Sequence, residues 1–305
     1  MWGVDELREN AVRHALFQHL DGLVAASDDG LLDWRKTEDF LFDGERFVVR
    51  QTRGAGICKP ASLSGALSIT TVFTPYGRKP PYEDFDGADG YPRYKYQGTD
   101  PNLYTNRALR VCLEYELPLV YFLGVQPGVY QAIYPVFVIA DNPNSLDVTL
   151  GFQRSEVGFD VTHLTEAEKR YALVQTRRRL HQPVFRERVL HAYATRCAVC
   201  SLRHRTLLDA AHVIGDAHSD GDPIVPNGIS LCKIHHAAFD QNLMGIRPDY
   251  RVVVNSALLE ERDGPMLAYG IQAMHETPLQ LPAKKIDRPD PDRLAVRYGE
   301  FLSAS

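Results

Sequence analysis

Apolar residues recur at three- and four-residue intervals from Val4 to Ala25, and that spacing predicts an opening helix. Short runs rich in Val, Ile, Phe and Tyr follow at Phe47 to Arg50, Leu67 to Phe73, Leu119 to Gly124 and Tyr134 to Ile139, separated by Gly, Pro and Asp clusters. Such runs predict strands of a curved sheet or barrel, with one helix from about Thr105 to Tyr115 packed on it. From Thr162 to Tyr193 the pattern turns helical: Thr162 or Thr165 caps, Glu168 places an acid in the first turn, and Pro183 divides two helices. Beyond it, Leu207 to Ala211 and Ile229 to Leu231 read as extended, the segment holding His236 and Asp240 as a helix, Arg251 to Val254 as a strand and Pro291 to Leu302 as a closing helix.

Composition narrows the class. A chain of 305 residues, 44% hydrophobic and 24% charged, is long enough for two globular domains, and five cysteines are too few for a disulfide scaffold. The uncharged run from Leu117 to Ala140 is broken by Pro118, Pro127, Gly128 and Pro135, so it predicts buried strands and no membrane span. Acids in MWGVDELREN, with no apolar stretch after them, argue against an export signal, and the expected location is the cytoplasm. Net charge is 34 − 39 = −5, which by itself disfavours an acidic partner. The distribution reverses that inference: from Lys169 to Arg205 there are ten Lys or Arg against the single acid Glu187, so this stretch is +9 and the rest −14. Arg177, Arg178, Arg179, Arg186 and Arg188 are therefore expected to face a nucleic-acid backbone.

Chemistry concentrates between Cys197 and Asp240. Cys197 and Cys200 form a CxxC pair, and Cys232 with His235 repeats the same gap about thirty residues on. Two matched pairs of soft ligands predict a structural Zn2+ that staples segments with little core of their own. Cys58 and Cys112 are left as core thiols. His181, His191, His204 and His218 have no partner at ligand spacing.

A second set of groups lies inside that clamp. His212 follows an extended run, Asn227 precedes a strand, and His236 and Asp240 are four apart, a spacing that puts imidazole and carboxylate on one helix face. Phosphodiester hydrolysis needs a base for water, a cation for the charge that develops on phosphorus and the leaving oxygen, and a group that orients the base. His212, a Mg2+ or Mn2+ site on His236 and Asp240, and Asn227 match these needs.

In order, the CxxC, AAHVI, NG and LCxxHHxxFD segments resemble the HNH, or ββα-metal, nuclease family in its zinc-stapled form, over about Arg186 to Ile246. The resemblance implies that His212 is the general base, that Asn227 orients it or holds the loop, and that His236 and Asp240 carry the catalytic ion. Many HNH sequences place a metal ligand just before the base, where this chain has Ala211. Asp209, two residues back, is the substitute ligand, unless two protein ligands suffice.

A sixty-residue nuclease core has little preference of its own, so targeting is expected from the first half. PPYEDFDGADGYPRYKYQGTDPNLYTNRAL is dense in aromatics and acids, and two Tyr flanking a carboxylate suit a flipped base. The succession Tyr-Glu-Asp, Tyr-x-Gly, Thr-Asn-Arg-Ala-Leu and a Pro-led strand is similar to SRA (YDG) domains, which flip 5-methylcytosine or 5-hydroxymethylcytosine out of duplex DNA. It implies Tyr82 and Tyr96 as stacking walls and Asp84, or Asp86, as the reader. The expected architecture is α+β: an SRA/PUA-like curved β-barrel over 1–155, a basic helical connector over 156–190 and a zinc-stapled ββα-metal nuclease over 191–305. Together they look like a modification-dependent (type IV) restriction endonuclease acting on double-stranded DNA as a homodimer, because one HNH site cuts one strand. The rivals are an HNH nuclease of other specificity, such as a phosphorothioate mark or a mobile element, and a zinc-clamped protein that binds DNA without cutting it.

Overall fold

The structure is a computed structural model that describes residues 4–27, 29–37, 39–51, 56–74, 91–152, 165–176, 180–216, 218 and 220–304. It divides into two compact units, Met1–Leu180 and His181–Ser305.

In the first unit, α1 (Glu6–Ala25) opens the chain, capped by Asp5, whose carboxylate accepts from the Arg8 amide at 3.1 Å. The strands are β1 (Leu32–Asp33), β2 (Asp39–Phe42), β3 (Glu45–Val48), β4 (Ile57–Cys58), β5 (Ser68–Thr71), β6 (Arg93–Lys95), β7 (Leu119–Gln126), β8 (Val129–Asn142) and β9 (Asp147–Gly151), with α2 (Tyr104–Glu114) between β6 and β7 and α3 (Glu166–Thr176) after β9. The main sheet runs β4-β5-β7-β8-β9-β6, with β1 also on β8 and β2 paired with β3 in a separate hairpin. The β5–β7 pairing is parallel, and the other pairings are antiparallel. Among the described residues no pairing joins β4 to β6, so the sheet is a curled half-barrel where a barrel was expected.

Both faces of this sheet are buried, which explains why β7 is a near-continuous apolar run. Leu119 and Tyr121 pack with Leu109 and Cys112 of α2, whereas Val120 and Phe122 pack with Val12, Leu16 and Leu20 of α1. Alternation along one strand thus feeds two cores. A buried ion pair anchors α1: Arg13 contacts Glu9 and donates to the Ala66 carbonyl at 2.8 Å, and Glu9 accepts from the Gly65 amide at 3.2 Å. The uncharged run from Leu117 to Ala140 forms β7 and most of β8, and no helix among the described residues is long and apolar enough to cross a membrane.

The second unit begins with α4 (Gln182–Ala192), whose Phe185, Val189 and Leu190 enter its core. The segment expected to be a connector is therefore in part a wall of this core. Strands β10 (Leu208–His212) and β11 (Gly228–Cys232) pair antiparallel, with His212 opposite Gly228 and Asp209 opposite Leu231. Helix α5 (Lys233–Asp240) leaves β11 directly and completes a ββα unit. A second hairpin, β12 (Met244–Ile246) with β13 (Val252–Val254), short helices α6 (Ser256–Glu260) and α7 (Pro265–Gly270), and α8 (Pro291–Ala304) follow. As expected for the tail, α8 buttresses the unit, burying Leu294 and Phe301 and donating from Arg297 to the Phe239 carbonyl.

Candidate active site and metal cluster

Cys197, Cys200, Cys232 and His235 meet although thirty residues separate the pairs. Their ligand atoms all lie within 4.8 Å of one another, with His235 Nδ1 3.2 Å from Cys232 Sγ and 3.5 Å from Cys197 Sγ. A tetrahedral zinc with ordinary bond lengths spaces its ligand atoms about 3.5–3.8 Å apart, so the donors fit that ion. His235 Nε2 lies 2.7 Å from the Gly270 carbonyl. That contact commits the ring proton to Nε2 and leaves the Nδ1 lone pair facing the thiols. No sequence signal pointed to Gly270, because it belongs to α7, thirty-five residues downstream.

The β10–β11 hairpin and α5 bring the second set together. The ring of His212, at the end of β10, stacks on Phe185 with centroids 4.0 Å apart and planes 20° from parallel. Burial holds His212 below its ordinary pKa; the charge of Asp216 works against this, as does that of Asp240, while His236 reinforces it. The imidazole is thereby kept neutral, the form that accepts a proton. On α5, His236 Nε2 lies 3.3 Å from Asp240 Oδ2, one turn further on. Two donors of this kind converging beside a neutral histidine suit a small divalent ion. His236 Nδ1 faces Asp209 Oδ2 at 3.6 Å, and this carboxylate raises the pKa of His236. Asp209 is itself held well below the usual carboxylate range: burial pushes upward, but His236 and Lys233 outweigh it.

Asn227 is fully buried and ties the loop after His212 in place. Its Oδ1 accepts from the Ile214 amide at 2.9 Å, and its Nδ2 donates to the carbonyls of Ile214 and Asp222, each at 3.0 Å. These bonds are to backbone, so of the two roles expected for Asn227 the geometry favours holding the loop.

The basic strip differs from expectation. Arg186 turns inward, donating to Glu187 at 2.6 Å and to the Leu208 carbonyl at 2.9 Å, and it lies 3.4 Å from Asp209 Oδ1. Glu187, 2% exposed, also pairs with Arg205. The single acid of the strip thus neutralises part of it internally, and Arg186 is engaged by protein partners. Arg188 is partly buried, and burial lowers its pKa. Arg177, Arg178 and Arg179 lie outside the described residues.

Of the expected base pocket, Tyr82, Asp84 and the alternative Asp86 also lie outside the described residues. Tyr96 is 2% exposed and gives its hydroxyl to Asp141. It borders a small hollow beside Gly56, Thr70, Tyr94 and Gln97. Among the described residues Tyr96 is packed in the core with Tyr94 and Leu109, and a stacking wall would need one of its ring faces uncovered.

No curated protein matches this chain. Among solved structures the chain is similar to a modification-dependent TagI restriction endonuclease, at 17% identity and a TM-score of 0.34, covering 83% of this chain and 87% of that one. It is also similar to the type IV phosphorothioation-dependent restriction endonuclease ScoMcrA, at 15% identity and a TM-score of 0.23, covering 60% of this chain and 54% of that one. TM-scores below 0.5 do not establish a shared fold. Residues 197–247 match the family model described as HNH endonuclease, so the cysteine–histidine cluster, the β10–β11 hairpin and α5 lie in an HNH endonuclease domain.

Proposed function

We propose that the chain is a divalent-metal-dependent DNA endonuclease directed to DNA carrying a modified cytosine. The observation that carries the nuclease reading is the neutral His212 set beside the His236–Asp240 pair within the HNH domain. The choice of modified cytosine rests on the sequence around Tyr82 and Asp84 alone.

In the reaction, Nε2 or Nδ1 of His212 takes a proton from water as the water oxygen attacks phosphorus. The bond from phosphorus to the 3′-oxygen breaks, and a solvent proton neutralises that oxygen, leaving 5′-phosphate and 3′-hydroxyl ends. A divalent ion held by His236 and Asp240 would stabilise the charge that develops on the leaving oxygen. Phe185 holds the plane of the base, and Asn227 holds the loop that follows it. Zinc on Cys197, Cys200, Cys232 and His235 would join the start of the domain to α5.

The test incubates the full chain with Mg2+ or Mn2+ and matched duplexes that are unmodified, 5-methylated, 5-hydroxymethylated or phosphorothioated. Cleavage confined to the cytosine-modified duplexes is expected, and His212→Ala should lower it by about 10²- to 10⁴-fold while keeping zinc and DNA binding. Equal cutting of all four sinks the modified-base reading. Cutting of the phosphorothioated duplex alone reassigns the mark. Binding without cutting under any divalent ion returns the chain to a DNA-binding protein. Two cuts in opposite strands at one site, with a rate rising as the square of protein concentration, are expected of a homodimer.

A further inference from the structure

Asp209 is expected from sequence as a metal ligand, yet both its oxygens are engaged by cationic side chains. Oδ1 lies 3.4 Å from Arg186 Nε, and Oδ2 contacts Lys233 Nζ and lies 3.6 Å from His236 Nδ1. Arg186 is itself anchored to the Leu208 and Arg205 carbonyls, at 2.9 and 3.2 Å, and to buried Glu187. The carboxylate is held from behind by a guanidinium that the fold has fixed.

The two nitrogens of an imidazole point to diverging edges of the ring. In His236, Nδ1 looks to Asp209 and Nε2 to Asp240, 3.3 Å away. An ion held by Nε2 and Asp240 would lie on the ring edge away from Asp209, so in this ring orientation Asp209 would not share it. Lys233 adds a second obstacle, because its ammonium already contacts the oxygen that would face the ion, and like charges repel at that range.

We infer that Asp209 is a positioning residue and not a ligand: the negative charge of its Oδ2, 3.6 Å from Nδ1, favours the ring proton of His236 on that nitrogen, which keeps Nε2 unprotonated and turned toward Asp240. Arg186 and Lys233 hold the carboxylate in that place. The arrangement has the order of a carboxylate–histidine pair that orients a metal-binding imidazole. This inference rests on the nuclease reading for the ion that His236 and Asp240 would hold.

The experiment uses the full zinc-loaded chain freed of other divalent ions. Histidine labelled with nitrogen-15 reports the tautomer of neutral His236, its signal identified by loss in His236→Gln. Wild type should carry the proton on Nδ1. A proton on Nε2 overturns the inference without any Asp209 variant having to fold. Mn2+ affinity, followed by electron paramagnetic resonance, is the second readout. Asp209→Asn keeps an acceptor and should stay near the wild-type affinity, whereas Asp209→Ala should weaken Mn2+ by about tenfold and mix the tautomers. Equal losses of about a hundredfold or more in both variants would mark a direct ligand and overturn the inference. Neither readout uses DNA, so failure of the nuclease reading shows separately, as an absence of cleavage by a chain that binds Mn2+.

Discussion

Phe185 lies flat against His212, and the same Phe185 is a core residue of the second unit, 2% exposed and packed with Val189 over Gly228. Gly228 in turn is the cross-strand partner of His212. The expected base is therefore braced by the hydrophobic core on one face, and packing and chemistry share residues.

The first consequence is a pH dependence. Burial lowers the pKa of His212, and the unprotonated ring is the form that accepts a proton from water. The cleavage rate should therefore rise with pH as His212 loses its proton, along a limb lying below the ordinary value of about 6.5, and then level off. Phe185→Ala admits water to the ring and should move that limb up toward about 6.5. Single-turnover cleavage across about pH 5 to 8 reads both. A limb that does not move in Phe185→Ala would remove burial by Phe185 as the cause.

Gly228→Ala tests the shared packing. A Cβ there would stand 2.8 Å from Phe185 Cζ and closer still to Val189 Cγ2, on an α4 that is itself packed in the core. The expected cost is about 1–3 kcal/mol in denaturant unfolding of the second unit. Cleavage should fall while DNA affinity holds. Unchanged unfolding would mean that α4 yields more readily than its packing implies.

Zinc removal should act on one unit only. Cys200→Ser breaks the ligand set at its exposed member and should abolish stoichiometric zinc by elemental analysis. Thermal unfolding of the second unit should drop while that of the first is unchanged. Backbone exchange should also speed up over Pro265–Gly270, because Gly270 accepts from the ligand His235.

Asn227→Ala leaves the Ile214 amide, the Ile214 carbonyl and the Asp222 carbonyl without their side-chain partner. Each such group costs about 1–3 kcal/mol when it stays buried. The loop after His212 should loosen first, seen as faster amide exchange at Ile214. A loss of cleavage with that amide still protected would argue for a direct part in the chemistry.

Local spacing made much of this molecule readable. The apolar run Leu119 to Gly124 reads as a strand because both its faces are buried, and the CxxC and CxxH pairs read as a metal site because each pair sits within one turn. The antiparallel register that sets His212 opposite Gly228 could be expected only as two strands. Glu9 and Arg13, spaced like a solvent-exposed helical pair, are among the most buried charges of the chain. The parallel pairing of β5 with β7 joins segments about fifty residues apart that carry no local signal for each other.

By itself the sequence determined which residue types could do chemistry and which share a helix face or a strand, because those relations follow from periods of 3.6 and 2. The tertiary structure decided where the long side chains point. A count of charge along the chain placed Arg186 in a DNA-facing strip; in the fold it reaches Asp209 on β10, twenty-three residues away. Asp209, in line for a metal, meets Lys233 and His236 of α5 instead. A flexible charged side chain goes to whichever fixed partner the packing brings within reach, and only the assembled core says which partner that is.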